Sequence, residues 1–135
     1  RFLKNADGTI YDSLTSLTWM GNDSRIDLGK DISWDETEGY VEDRNGKSVG
    51  EHSDWRIPSG QEALSLFDKN KLNKDFKGGD IHLDSVFSPG AGNTTWTSET
   101  RGREAQIIFY INGLPYWYEK EDKTLSHSVR LIRRD

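Results

Sequence analysis

The hairpin signal near the end of the chain restricts its fold most. Ala105 to Ile111 and Leu114 to Lys120 are strand-prone runs around Asn112-Gly113, and a two-residue Asn-Gly loop favours a type I′ turn. That turn sets residue 111 against 114, 109 against 116 and 107 against 118. Ile107, Phe109, Ile111, Leu114, Tyr116 and Tyr118 then share one face, and Gln106, Ile108, Tyr110, Pro115, Trp117 and Glu119 share the other. Both faces are apolar or aromatic, whereas a hairpin with one side in water carries polar residues there. The ribbon is therefore either covered on both sides or has one face open to a partner or ligand.

The covering has to come from a lean chain. At 135 residues, a single domain over 1–135 is expected. Only 33% of the residues are hydrophobic, so the five Trp, five Tyr and five Phe must fill much of the core, each large ring burying roughly 150–250 Å². The chain has no cysteine, which excludes disulfides, thiolate metal sites and cysteine nucleophiles. No apolar run approaches the roughly 18 residues of a membrane helix. The start Arg1-Phe2-Leu3-Lys4 is neither a signal peptide nor an initiator methionine, so the chain reads as a piece of something longer. The net charge of −5 argues against nucleic acid as a partner. It is uneven: residues 1–90 hold 11 basic and 17 acidic side chains, residues 91–135 hold 7 and 6, and any anion-binding surface belongs in the last third.

Local signals place the remaining elements. Asp7-Gly8 between short β-prone stretches predicts a hairpin, and Leu14, Leu17, Trp19 and Met20 a strand entering the core. A calcium loop through Asn5, Asp7 and Asp12 fails on spacing, because with Gly8 at the sixth position the loop ends fall on Leu3 and Leu14. Ser33-Trp-Asp-Glu36 and Ser59-Gly-Gln-Glu62 are capping boxes. The first predicts a helix from Trp34 to about Arg44, and the second a helix carrying Ala63, Leu64, Leu66, Phe67 and Asn70. Asp35, Glu36, Glu38, Glu42 and Asp43 read as a solvated helix face rather than a catalytic cluster. Lys69 to Gly79 reads as a surface loop. Asp80, His82 and Asp84 alternate as strand-borne metal ligands would, yet the same positions are free to pair with lysines. Thr94 to Ser98 and Ser128 to Arg133 complete the strands.

These pieces occur in the order of a bacterial family, DUF1566, also called the Lcl C-terminal domain. Its opening Arg-Phe and Asp-Gly-Thr-Val-x-Asp-x-x-Thr-Gly-Leu-x-Trp resemble Arg1-Phe2 and Asp7-Gly-Thr-Ile-Tyr-Asp12-Ser-Leu-Thr15-Ser-Leu17-Thr-Trp19. Its Ser-Trp-x-Glu-Ala helix start is similar to Ser33-Trp34-Asp-Glu36-Thr37. Its Ser-Asp-Trp-Arg-Leu-Pro-x-x-x-Glu-Leu-x-Ser-Leu signature is matched by Ser53-Asp54-Trp55-Arg56-Ile57-Pro58 and then Glu62-Ala63-Leu64-Ser65-Leu66. Thr95-Trp96-Thr97-Ser98, Ile108-Phe109-Tyr110-Ile-Asn-Gly113 and Val129-Arg130-Leu-Ile-Arg133 resemble its last three segments.

The resemblance implies an α+β, C-type-lectin-like fold with two helices, a small antiparallel sheet, and adjacent N- and C-terminal strands. It implies an exported, extracellular or cell-surface module of a bacterial adhesin. The relative that names the family is a trimer that binds sulfated glycans. Trp19, Trp34, Trp55 and Trp96 match motif positions and read as framework, and Asp54 with Arg56 reads as a buried pair. Trp117 alone among the tryptophans lies outside the motifs.

The expected function is a non-catalytic binding module that recognises glycans, sulfated or acidic ones included, as a homotrimer at a fibre tip. The alternatives are a trimerising cap with no ligand of its own and a protein-binding lectin-like domain. Sugar sites combine aromatic faces, planar hydrogen-bonding groups and, for anionic sugars, arginine. The ligand-binding candidates are Glu99, Arg101, Arg103, Tyr116, Trp117, Tyr118, Glu119 and His127, and those for a subunit interface are Ile107, Phe109, Ile111 and Leu114. The Glu-Pro-Asn and Gln-Pro-Asp signatures of calcium-dependent sugar sites are absent from the sequence, since its three prolines follow Ile57, Ser88 and Leu114. No catalytic residue, metal, cofactor, nucleic acid partner or membrane insertion is expected.

Overall fold

The computed structural model describes residues 1–124 and 126–134. Strands β1 (Phe2–Lys4), β2 (Ile10–Asp12) and β3 (Leu17–Trp19) lead into helices α1 (Ser24–Leu28) and α2 (Trp34–Gly46), a 3₁₀ turn at Val49–Glu51, and helix α3 (Gly60–Leu64). Strands β4 (Asn73–Lys74), β5 (Asp80–Ile81), β6 (Thr94–Arg101), β7 (Glu104–Phe109), β8 (Pro115–Glu119) and β9 (Ile132–Arg134) follow. The class is α+β, with small antiparallel sheets ordered β1-β2-β3-β9, β4-β5 and β6-β7-β8 among the described residues. The N- and C-terminal strands share a sheet, with β9 pairing with β3 rather than with β1.

The Asp7-Gly8 hairpin forms, and its acids hold it. Asp7 accepts from the Thr9 amide and hydroxyl, while Asp12 takes both Arg1 Nε and Nη2 at 2.9 Å. Leu14 is 73% exposed and stays outside the core that Leu17 and Trp19 enter. Both capping boxes close, Ser33 with Glu36 and Ser59 with Glu62. The second helix is shorter than its apolar spacing predicts: it stops at Leu64, where the Ser65 hydroxyl turns back to the Glu62 carbonyl at 2.6 Å. Leu66 and Phe67 then reach the interior from tight turns, and Asn70 lies beyond the helix. Helix α1 is an addition to the two predicted. Its cap is Asp23, whose carboxylate accepts from the amides of Ile26 and of Gly92, and the second contact is made only by the folded chain.

The expected hairpin register is corrected by two residues. Phe109 pairs with Leu114 through its amide, Ile107 faces Tyr116 and Ala105 faces Tyr118. The loop is Tyr110 to Gly113, closed by the Gly113 amide on the Phe109 carbonyl, and only Gly113 takes positive φ (72°), so the two-residue type I′ turn does not form. The longer loop lets Tyr110 fold inward, where its hydroxyl donates to the Ala63 carbonyl at 2.8 Å. Because the shift is even, the faces keep their members. One face buries Ala105 and Ile107 with Trp55, Trp96, Tyr40 and Val129, and the other buries Ile108 with Trp19, Leu66, Phe87 and Ile132. Strand β7 is thus packed on both sides, while β8 and the hairpin tip stay exposed or half-buried.

The segment from His127 to Leu131 threads between these layers. Its backbone accepts from Ile32, Trp96, Ser24 and Met20, and the Val129 and Arg130 amides donate to the Ser24 and Thr95 hydroxyls. Regular pairing is confined to Ile132–Arg134, later than the strand expected from Ser128. The Arg130 side chain is buried: Nη1 donates to the carbonyls of Met20 and Gly21 at 3.0 and 2.8 Å, and the guanidinium lies 4.7 Å from the centre of the Phe87 ring. Asp54 and Arg56 do not form the expected buried pair. Both are exposed, Asp54 bonding Arg133 at 2.7 Å and Arg56 holding Glu62 through two 2.8 Å bonds.

Candidate functional site

The turn end of the β6-β7-β8 sheet gathers most of the expected ligand-binding residues. A register shift lies between Trp96, which pairs with Ile107 over the core, and Thr100, so that Arg101 comes opposite Glu104. Gln106 stands opposite Trp117 and Glu104 opposite Glu119, on the same face as Arg101. The Arg101 guanidinium stacks 4.4 Å from the centre of the Trp117 ring, and its Nε donates to Glu104 at 2.9 Å. Gln106 is held from behind by the Thr97 hydroxyl at 3.1 Å. The start of α3 abuts this face, since a Cβ at Gly60 would lie 2.2 Å from Gln106 Oε1, and the Gly60 amide points to Glu99 at 3.4 Å. Glu99, Arg101, Glu104, Gln106, Trp117 and Glu119 thus form one surface. Arg103 sits in the adjoining turn, exposed, with no side-chain hydrogen bond or ion pair among the described residues.

The opposite face of the same strands carries a different structure. Phe109 meets Tyr116 edge to face at 4.8 Å and Tyr118 at 6.3 Å, Tyr118 meets His127 at 4.8 Å, and His127 meets Trp96 at 4.8 Å. This ladder runs from the surface to a fully buried end. Two expectations need correcting here. His127 is 0% exposed and sandwiched by aromatic rings, so it cannot touch a surface ligand, and Ile107 is 0% exposed within the core, so it cannot meet a second subunit. Phe109 is half-buried by the same ladder. Ile111, Leu114 and Tyr116 are exposed at the hairpin tip, at 49%, 51% and 38%.

The other candidate constellations dissolve into separate partners. Asp80 pairs with Lys74, His82 Nδ1 meets the Lys71 carbonyl at 3.0 Å, and Asp84 caps the Val86 amide. Glu62 is driven down to about 2 by the Arg56 guanidinium beside it, with help from Ser59, which marks a structural ion pair.

A family model described as the Lcl C-terminal domain matches residues 8–133. The chain belongs to the Lcl C-terminal domain family. No curated protein and no solved structure matches it. In this Lcl C-terminal domain the tryptophans at motif positions are framework: Trp19, Trp55 and Trp96 are buried, and Trp34 donates to the Thr97 carbonyl at 2.9 Å. Sequence reasoning missed Glu104 and Gln106 as members of the sheet-end surface. The signal was available, since residues two apart on one strand share a face with their partners across the ladder, but neither residue belongs to a motif.

Among the described residues both ring nitrogens of His127 lack a hydrogen-bond partner, and Nε2 lies 3.9 Å from Asp122. Burial holds the imidazole below its ordinary value, against the opposing pull of Asp122. The folded state therefore prefers the neutral ring, so stability is intact above the unfolded value near 6.5 and declines as pH falls below it. His127→Phe should flatten this decline between pH 7 and 5, by up to about 1.4 kcal/mol per pH unit, the full effect of one proton. Urea denaturation at pH 7, 6 and 5 measures it, and parallel pH profiles for the two proteins would refute it.

Proposed function

We propose that this domain is a non-catalytic, glycan-binding module of a bacterial surface or fibre adhesin, working outside the cell on a C-type-lectin-like scaffold. Membership of the Lcl C-terminal domain family supports the surface association. The observation that carries the binding reading is the Trp117 surface. A half-buried indole lies among Arg101, Glu104, Gln106 and Glu99, where planar donors and acceptors border an aromatic ring. Sugars present an apolar ring face and a hydroxyl rim that such a surface complements. Arg103, the uncommitted cation next to it, suits a sulfate or carboxylate. The test is a glycan array of sulfated, acidic and neutral sugars probed with the native domain and with Trp117→Ala and Arg103→Ala. Binding that falls at least about tenfold in Trp117→Ala, roughly 1.4 kcal/mol, supports the reading. Silence across the array sinks it.

The exposed tip formed by Ile111, Leu114 and Tyr116 favours a second reading, a homotrimeric cap in which the domain assembles a fibre. Sedimentation at micromolar concentration separates the two, because a monomer undercuts the cap.

A further inference from the structure

A second polar cleft lies away from the sheet-end surface, between the β1–β2 hairpin and the C-terminal end of α2. It encloses about 180 Å³ and draws its walls from the hairpin, the Met20–Asn22 turn, α1, α2 and Ser88. We propose that it binds one uncharged sugar unit, such as a neutral hexose or N-acetylhexosamine residue.

The floor is rigid before any ligand arrives. Asp27 Oδ2 accepts from the Tyr40 hydroxyl at 2.6 Å and from Arg44 Nη1 at 3.2 Å, while Arg44 Nε is held by Asp43 at 2.9 Å and the guanidinium lies 5.3 Å from the Tyr40 ring centre. Little side-chain entropy remains to be lost there on binding. The rim supplies uncommitted groups. Lys4, Asn22 and Ser88 make no side-chain hydrogen bond to another described residue, and Asp7 uses only Oδ1 on Thr9. Free donors and acceptors therefore converge on the cavity from three separate segments.

Charge and size select the ligand class. Lys4 and Arg44 are balanced by Asp7 and Asp27, so the cleft offers no net attraction to an anion or a cation. A hydroxyl both donates and accepts, and suits a mixture of ammonium, amide, hydroxyl and carboxylate groups at once. Met20 and Val49 add apolar wall for the C–H face of a ring. The volume falls below the roughly 300–1,000 Å³ that holds drug-sized ligands, which limits the occupant to about one ring.

The test is an NMR titration of the native domain with methyl glycosides of neutral hexoses and N-acetylhexosamines, beside methyl glucuronide and glycine. Neutral glycosides should bind with Kd of about 1–10 mM, shifting the amides of Gly8, Asn22 and Ser88. The variant Lys4→Ala with Asn22→Ala should weaken binding at least about fivefold, roughly 1 kcal/mol, and Trp117→Ala should leave it unchanged. No shift up to about 50 mM, a limit set by the weakest useful Kd, overturns the proposal. So does a preference for glucuronide or glycine, or loss of binding in Trp117→Ala. The array result at the sheet-end surface stands or falls separately.

Discussion

Arg130→Met is expected to destabilise the domain by about 3–5 kcal/mol, because it removes the counter-charge of a buried carboxylate. Asp23 and Arg130 are 1% and 2% exposed. Burial pushes the Asp23 carboxyl up, and the guanidinium is the strongest influence holding it down, ahead of the Ile26 and Gly92 amides. The substitution also strips the Nη1 donor from the Met20 carbonyl and leaves the Gly21 carbonyl with only the Ser88 amide, at 3.3 Å. With the arginine absent, Asp23 rises further, and a group whose folded value is raised costs stability as pH climbs through that value. The deficit of Arg130→Met should therefore be largest at neutral pH and shrink in mild acid. Adding Asp23→Asn removes the stranded charge while keeping one carbonyl acceptor. The double variant should recover at least about 1 kcal/mol relative to the sum of the single losses. Urea denaturation of the four proteins at pH 7 closes the cycle, and strict additivity would show that the two charges are not coupled.

Trp96→Ala should cost a similar amount, about 3–5 kcal/mol. The indole is 0% exposed, packs against His127, and donates to the Ile32 carbonyl at 3.0 Å, joining β6 to the chain just before α2. Truncation leaves both a cavity and an unpaired carbonyl. Trp96→Phe fills most of the cavity and restores no donor, so it should lose only about 1–3 kcal/mol, the cost of the orphaned acceptor. Denaturation midpoints of the two variants separate volume from hydrogen bonding. Equal losses would mean that packing at Trp96 contributes little. Trp117→Ala, on a half-buried ring capped by a surface arginine, should lose less than either.

What could be read in advance was whatever depends on near neighbours. Asp7-Gly8 and the two Ser-x-x-Glu boxes act over three or four residues, and all of them form as expected. The failures are long-range. Apolar spacing cannot tell a helix from a short helix followed by tight turns, and at Ser65 the chain takes the second course. The Asn112-Gly113 dipeptide signals a turn, but its length is decided by Tyr110 reaching the Ala63 carbonyl 47 residues away. Helix α1 depends on Asp23 finding the Gly92 amide, 69 residues on. At the candidate site, the surplus of aromatic residues on the last hairpin was legible, and so was Trp117 as the odd tryptophan. The sequence is silent on which rings would be walled in, because His127 is buried by partners from β6 and β8 that no local pattern brings to it.

The threading of residues 127–131 through the middle of the domain has a kinetic consequence. Val129 meets the Ser24 hydroxyl across 105 residues of sequence, and Arg130 meets the Met20 carbonyl across 110. Nascent chains that need such distant closures fold late and slowly, since the loop entropy is lost before the contacts repay it. Until residue 131 has left the ribosome, β3, α1 and β6 lack the strip that joins them, and the aromatic ribbon has one cover incomplete. The vulnerable species is thus a chain that has emerged through β8 but not yet through residue 131, with its rings open to aggregation or to a chaperone.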